Sequence, residues 1–232
     1  MIIGLSGLAG SGKDTVANVL ADKYSFVRVA LADVIKRYCM ELYDFSYDQL
    51  WGESNLRNIP DKRYLREHHV FSNDNVCECC GYDLKTTIEH QKCYLTPRYA
   101  LQRFGGEGGR AAYDDVWVNY TMKIAEKLLA DVDYSYKPHI GLIKDVLCSF
   151  ELNGIVISDC RYSNELNAIK QRNGKIVRIV RSGAGLKGPA ANHSSESEQL
   201  EIPDSMFDYI LYNNDSFDNL LQRIEVMCNS WH

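Results

Sequence analysis

With 232 residues, the chain has room for one sizeable α/β domain carrying an insertion, or for two small ones. Its composition, 45% hydrophobic and 25% charged, is that of an ordinary globular protein, and no apolar run approaches the roughly 18 residues of a membrane span. A net charge of −5 argues against broad wrapping of nucleic acid.

The start of the chain lacks a charged leader and cleavage signature, so the expected compartment is the cytoplasm. There, eight cysteines suggest thiols or a metal site rather than a disulfide framework.

The chain opens on an apolar run, Met1-Ile2-Ile3-Gly4-Leu5, that turns into the glycine-rich loop Ser6-Gly7-Leu8-Ala9-Gly10-Ser11-Gly12-Lys13 and then into a helix-forming segment. Strand, glycine-rich loop and helix is the order of a phosphate-binding P-loop. Gly7, Gly10, Ser11 and Gly12 can turn several amide NH groups onto phosphate oxygens beside the positive end of the helix, and Lys13 reaches the outer phosphates. Asp14 stands where the motif usually has the magnesium-bound hydroxyl, and Thr15 comes one residue late.

After the loop, Val16, Val19, Leu20 and Tyr24 recur at helical spacing, and Phe26 to Leu31 reads as a second strand. Asp33 is expected to cap a helix bearing Val34, Ile35, Tyr38, Cys39 and Leu42, with Lys36 and Arg37 on its first turns, where a substrate phosphate could approach. Residues 44–72 lack clean periodicity and read as loops and short helical pieces.

Next come Cys77-Glu78-Cys79-Cys80-Gly81 and His90-Gln91-Lys92-Cys93. Cys77 and Cys80, with glycine directly after, have the spacing of a knuckle that presents two thiolates to one tetrahedral ion, and His90 and Cys93 supply a second pair. Cys79 is an alternative ligand, and a cluster of buried thiols is the bland alternative. With four protein ligands the expected Zn2+ would be structural, stapling an insertion over 72–95.

Pro97 sits in the first turn of the next predicted helix, where Arg98 and Gln102 share a face. The glycines at 105–109 are expected to end that helix in a flexible loop carrying Glu107 and Arg110. Trp117, Tyr120, Ile124 and Leu128 mark a core-packing helix from about Asp115 to Ala130, and Ile140 to Leu152 reads as another.

Ile155-Val156-Ile157-Ser158-Asp159 has the form of a buried parallel strand whose terminal carboxylate can hold a magnesium shell. Cys160-Arg161 and Asn164-Glu165 follow on the turn into a helix. In an open parallel sheet, ligands bind outside the strands' carboxyl ends, so Asp159 and Arg161 are expected near Lys13.

Lys175 to Arg181 is a further strand. A polar segment over 182–203, with Lys187, His193, Ser194, Ser195 and Glu196, suits a lid. Tyr209 to Tyr212 is the last strand, Asn213 to Ser216 a turn and cap, and Phe217, Leu220, Leu221 and Ile224 mark the C-terminal helix.

Taken together, the chain resembles the bacteriophage deoxynucleoside monophosphate kinases of the P-loop nucleoside monophosphate kinase superfamily. The resemblance rests on Ser6-Gly7 with Ser11-Gly12-Lys13-Asp14-Thr15, on Arg98 with Leu101-Gln102 and Gly105, on Asp159-x-Arg161 with Glu165, and on Arg181. His193 with Glu196 and the stretch from Asp208 to Asp215 add to it. These pieces span nearly the whole chain in the family's order, with the cysteine segment as an insertion. Gly106 departs from the family's threonine beside the acidic residue.

The resemblance implies a single P-loop kinase domain over 1–232: a three-layer α/β fold with a mostly parallel sheet, a lid and the Cys-rich insertion. It implies phosphoryl transfer from ATP, with Mg2+, to a deoxynucleoside 5′-monophosphate. Lys13 would meet the β and γ phosphates, Asp14, Thr15 and Asp159 the magnesium shell, and Arg181 the transferring group as the lid closes. Lys36, Arg98, Gln102, Glu107, Arg110 and Arg161 would serve the acceptor.

The partners implied are small-molecule nucleotides and no membrane, in the host cytoplasm if the chain is phage-encoded; a homodimer is compatible with this kind of kinase. Two rivals stand beside this reading. One is a kinase acting on a modified nucleotide in DNA, which the cysteine insertion and Lys36, Arg37, Arg57, Lys62, Arg63 and Arg66 could contact; the other is a non-catalytic nucleotide-binding regulatory module.

Overall fold

Residues Ile2–Ser6 (β1) are buried at all five positions, and an unbroken apolar strand of this kind needs cover on both faces. A computed structural model, which describes residues 1–86, 92–144, 152–185 and 194–231, places β1 at the centre of a five-stranded sheet. The order is Phe26–Val29 (β2), Gly154–Cys160 (β7), β1, Lys175–Val180 (β8) and Tyr209–Tyr212 (β9), with every neighbouring pair parallel.

Strand alternation sorts side chains into two cores. Ile2, Ile155, Ile157 and Ile176 pack with residues of Val116–Ala130 (α5) and Ser163–Lys170 (α6), among them Val118, Met122, Leu128, Leu166 and Ile169. Ile3, Leu5, Val156, Val177 and Ile179 pack with Lys13–Tyr24 (α1) and Phe217–Asn229 (α8) through Val16, Leu20, Leu220, Ile224 and Met227. Burying each such side chain contributes about 1.5–3 kcal/mol, which holds the helices on both faces of the sheet. The result is the expected three-layer α/β P-loop fold.

Two units make up the chain: Met1–Leu31 with Asp115–His232, which contains this sheet, and the contiguous stretch Ala32–Asp114. In the second, Asp33–Tyr43 (α2), Tyr47–Trp51 (α3), the antiparallel pair Leu65–Arg66 (β3) and Cys93–Tyr94 (β4), and Pro97–Arg103 (α4) enclose a core of their own. Its buried residues include Cys39, Phe45, Leu50, Tyr82 and Tyr99.

Several expectations change. Gly141–Lys144 (β6) is a strand, not the start of a helix, and pairs antiparallel with Tyr134–Lys137 (β5). Pro138 and Gly141 interrupt helical continuity there, and Gly141 takes φ +99 at the turn. Residues 145–151 of that predicted helix lie outside the described set.

The glycines after α4 do not end the helix. Phe104–Arg110 continues as a π-helical turn, with an ion pair between Arg103 and Glu107 one turn apart and Gly105 close to Ile35. Asp33 is not an N-cap: the cap is Ala32, without a side-chain hydrogen bond, and the buried Asp33 instead accepts from Trp51 Nε1 at 2.9 Å. Tyr120 is exposed on α5, where Val118, Thr121, Met122 and Ala125 complete the packing face.

Ser194–Glu201 (α7) occupies the end of the predicted lid, whose residues 186–193, including Lys187 and His193, are outside the described set. No helix among the described residues is long and apolar enough to cross a membrane.

Candidate functional site

β1 ends at Ser6, in register with Cys160 of β7 on one side and Arg178 of β8 on the other. The loop from Gly7 therefore starts at the sheet's carboxyl edge, beside the strand ends that carry Asp159 and Arg181. Gly7 is required there: with φ +149, an added Cβ would lie 2.4 Å from the Ile179 carbonyl oxygen and 2.8 Å from Ser11 Oγ. The loop is closed by Ser11 N donating to Leu8 O at 3.1 Å, and α1 begins after Gly12 with no side-chain cap on its first amides. Those amides and the helix dipole suit an anion.

Lys13 Nζ turns back over the loop, donating to Leu8 O at 2.8 Å and to Gly7 O. Asp159 Oδ1 accepts from Leu31 N at 2.7 Å, which ties the end of β2 to the end of β7 and orients the carboxylate. Just beyond it, the buried Glu165 accepts from Arg161 N at 2.6 Å and Tyr162 N at 3.1 Å, fixing the turn that presents Arg161. Asp14 and Thr15 are exposed on the first turn of α1.

Three contributors were not visible as site residues in the sequence. Arg28, on β2, pairs with Asp14 and also donates to Asn18 Oδ1 at 2.8 Å and Ser158 Oγ at 3.2 Å, so it sets where the Asp14 carboxylate lies. Asn213, directly after β9, donates through Nδ2 to Ser11 O at 2.8 Å and through its backbone NH to Val180 O at 2.8 Å, stitching the loop to the strand edge. The Asn-Asn pair at 213–214, in the turn after the last predicted strand, is the signal the sequence offers for it.

The third is Gln199 on α7. A cavity of about 170 Å3 beside the loop is lined by Ser6, Gly7, Leu8, Arg181, Gln199 and Leu200, among others. The Gln199 side-chain amide is buried there with no protein partner for either its nitrogen or its oxygen among the described residues, and Ser11 Oγ is likewise unmatched. Arg178 holds α7 to β8, donating to Gln199 O at 3.2 Å and Ile202 O at 2.5 Å, while its guanidinium lies 4.1 Å from the Phe207 ring centre.

The structure thus brings Lys13, the loop, Asp159, Arg161 and Arg181 to one edge of the first unit. Asp14 and Thr15 are in the first unit too, and the residues predicted for the acceptor other than Arg161 belong to the second. Lys36 lies over the Trp51 ring at 5.4 Å, and Arg98 bonds Asn58 and donates to Ser54 Oγ at 3.0 Å. Gln102 follows on α4, and Glu107 and Arg110 sit in the π-helical turn.

Cys77, Cys80 and Cys93 converge there as expected, joined by His69. His90 is outside the described residues, and Cys79 directs its thiol to Tyr94 O at 3.2 Å. Burial opposes ionisation of Cys77, but NH groups of Cys80, Cys79 and Val70 and the His69 side chain outweigh it and bring the thiol down to about 6. Burial and the neighbouring Cys77 push Cys93 the other way.

No family model matches the chain. It is 27% identical, over 225 residues covering 97% of this chain and 94% of the relative, to a protein of Acanthamoeba polyphaga mimivirus named "Putative deoxynucleotide monophosphate kinase". Among solved structures, it aligns with shikimate kinase from Bacteroides thetaiotaomicron at 12% identity and TM-score 0.46, over 100% of this chain and 98% of that one. It also aligns with dephospho-CoA kinase from Campylobacter jejuni at 12% identity and TM-score 0.44, over 98% and 95%.

Proposed function

We propose that the chain is a phosphotransferase that moves the γ-phosphoryl group of ATP to a deoxynucleoside 5′-monophosphate. The observation that carries this reading is the assembly of Lys13, the loop amides, Asp159, Arg161 and Arg181 at one sheet edge. The full-length likeness to the mimivirus protein supports the choice of acceptor, as do the motifs shared with phage kinases.

Phosphoryl transfer asks for alignment and charge neutralisation more than for covalent chemistry. Lys13 would exchange the carbonyls of Gly7 and Leu8 for the β and γ phosphates. The oxygen donors Asp14, Thr15 and Asp159 fit the hard-ligand preference of Mg2+, which when bound neutralises phosphate charge. Arg28 keeps Asp14 from facing the triphosphate as an uncompensated negative charge.

Arg161, presented by the Glu165-locked turn, would meet the acceptor phosphate, and Arg181 would neutralise charge on the transferring group. Arg98, Gln102, Glu107 and Arg110 are assigned to the acceptor on the strength of the sequence resemblance, and Lys36 by its place on the first turns of α2. The acceptor phosphate is itself a nucleophile at neutral pH, so no catalytic base is required.

The test is incubation with labelled ATP, magnesium and either each deoxynucleoside monophosphate or hydroxymethylated DNA. Labelled diphosphates are expected. Label in the DNA would transfer the assignment to a kinase of modified nucleotides in the polymer, and nucleotide binding without transfer to any acceptor would make the chain a regulatory module.

A further inference from the structure

We infer that His69, Cys77, Cys80 and Cys93 bind one Zn2+, and that this ion fixes the N-terminus of α4. The four donor atoms all lie within 4.8 Å of one another. A tetrahedral zinc site, with Zn–S of about 2.3 Å and Zn–N of about 2.0–2.1 Å, requires about 3.8 Å between sulfurs and about 3.5–3.6 Å between sulfur and nitrogen. Cys77 Sγ and Cys93 Sγ are 3.8 Å apart, and Cys80 Sγ and His69 Nδ1 are 3.5 Å apart. Packing of thiols as small apolar groups makes no such demand.

The surroundings hold this set in place. Gly81 N donates to Cys77 O at 2.9 Å with Gly81 at φ +73, while Cys77 N donates to Tyr82 O at 2.7 Å, shaping the knuckle. The His69 ring lies 5.4 Å from Phe71 and 4.7 Å from Tyr82, centre to centre, which limits its rotation. Cys93 comes from β4, paired with β3. Three thiolates and one imidazole favour Zn2+ over the oxygen-seeking divalent ions, and a site with four protein ligands is structural.

The coupling to α4 is direct. Thr96 caps that helix, accepting from Tyr99 N at 3.3 Å, and its hydroxyl donates to Cys79 O at 2.6 Å, inside the knuckle. The metal loop therefore fixes the residue from which Arg98 and Gln102 are launched. The metal assignment stands apart from the proposed activity; only the meaning of α4's placement rests on it.

The test uses the full chain purified without added zinc. Elemental analysis should give about one zinc per chain, and cobalt(II) exchange should give the intense ligand-field bands of a tetrahedral thiolate-rich site. H69A and C93S should lose most of the metal, whereas H69C, which restores a fourth ligand, and H90A should keep a full equivalent.

Chelation should lower the melting midpoint and accelerate amide exchange in residues 97–103, with recovery on zinc addition. A folded, metal-free protein indifferent to zinc and chelator would overturn the site, as would a non-tetrahedral cobalt spectrum. Metal lost from H90A but kept by H69A would overturn the ligand set, and unchanged exchange across α4 would overturn the coupling. Both readouts are independent of phosphoryl transfer, so a failed kinase assay leaves this result standing.

Discussion

Substituting alanine at Gly7 and at Gly10 separates two demands that the phosphate loop makes on its backbone. Both glycines have positive φ, +149 and +77, so either alanine carries a conformational cost of about 1–2 kcal/mol. At Gly10 nothing lies within 4 Å of the added Cβ, and that cost is the whole effect. At Gly7 the methyl meets the Ile179 carbonyl oxygen at 2.4 Å, about 1 Å short of the 3.4 Å where ordinary contact begins.

Since that oxygen belongs to the backbone of β8, no side-chain rotation relieves the clash. The loop or the strand end must move, adding about 1–3 kcal/mol of overpacking. Urea unfolding followed by circular dichroism should therefore show G10A destabilised by about 1–2 kcal/mol and G7A by about 2–5 kcal/mol. ATP titration should show at least a tenfold loss for G7A, since 1.4 kcal/mol of loop distortion suffices for that. Equal unfolding midpoints and equal affinities for the two variants would refute the close approach of loop and strand.

Lys13→Ala should lower phosphoryl transfer by more than about a hundredfold while leaving the chain folded, and near-normal turnover would defeat the P-loop assignment. Arg63 hydrogen bonds hold the Asp61 carboxyl at about 2, against an ordinary 3.8, despite the opposing effect of burial. A depressed carboxylate stabilises the fold above its unfolded value and loses that contribution as pH falls through its folded one. Asp61→Asn should hence cost about 1–2 kcal/mol at pH 7, discounted for the half-exposed arginine, and the difference from wild type should vanish between pH 4 and about 2; a pH-independent difference would sink the reasoning. Gln199→Met, which preserves volume and removes the unmatched buried amide, should raise stability by about 1 kcal/mol in thermal unfolding, and a clear loss would show that the amide is held by a partner.

How far the sequence could be read depended on whether a feature is local. The strand-loop-helix order at residues 2–24 and the aspartate ending β7 are visible because period, glycine spacing and apolar runs lie within a few residues. Parallel strands buried on both faces also advertise themselves as unbroken hydrophobic stretches. Arg28 looks like any charge on a strand, because its significance lies in Asp14, across the turn from α1, and in Ser158, which is far along the chain and adjacent only after folding.

His69 was invisible for a related reason. Spacing rules pair ligands close in sequence, and a histidine eight residues before the first cysteine meets the thiols only through the fold. The β5–β6 hairpin was missed because Leu142 and Ile143 suit either periodicity, and the choice fell to Pro138 and Gly141. In the opposite direction, the glycine-rich run at 105–109 promised a loop by composition, yet its helical state is fixed by contacts that composition does not show.

The sheet order also sets a timetable for synthesis. β1 is made well before its two partners, so its pairing waits for residue 160 on the β7 side and for residue 178 on the β8 side. The contiguous Ala32–Asp114 stretch has its own core and completes its sequence some 65 residues earlier, time enough at roughly 5–20 residues per second to fold first. A translating ribosome would thus carry a finished inner unit flanked by an exposed apolar first strand, and a pause between residues 114 and 154 would prolong that strand's exposure to chaperones and to aggregation.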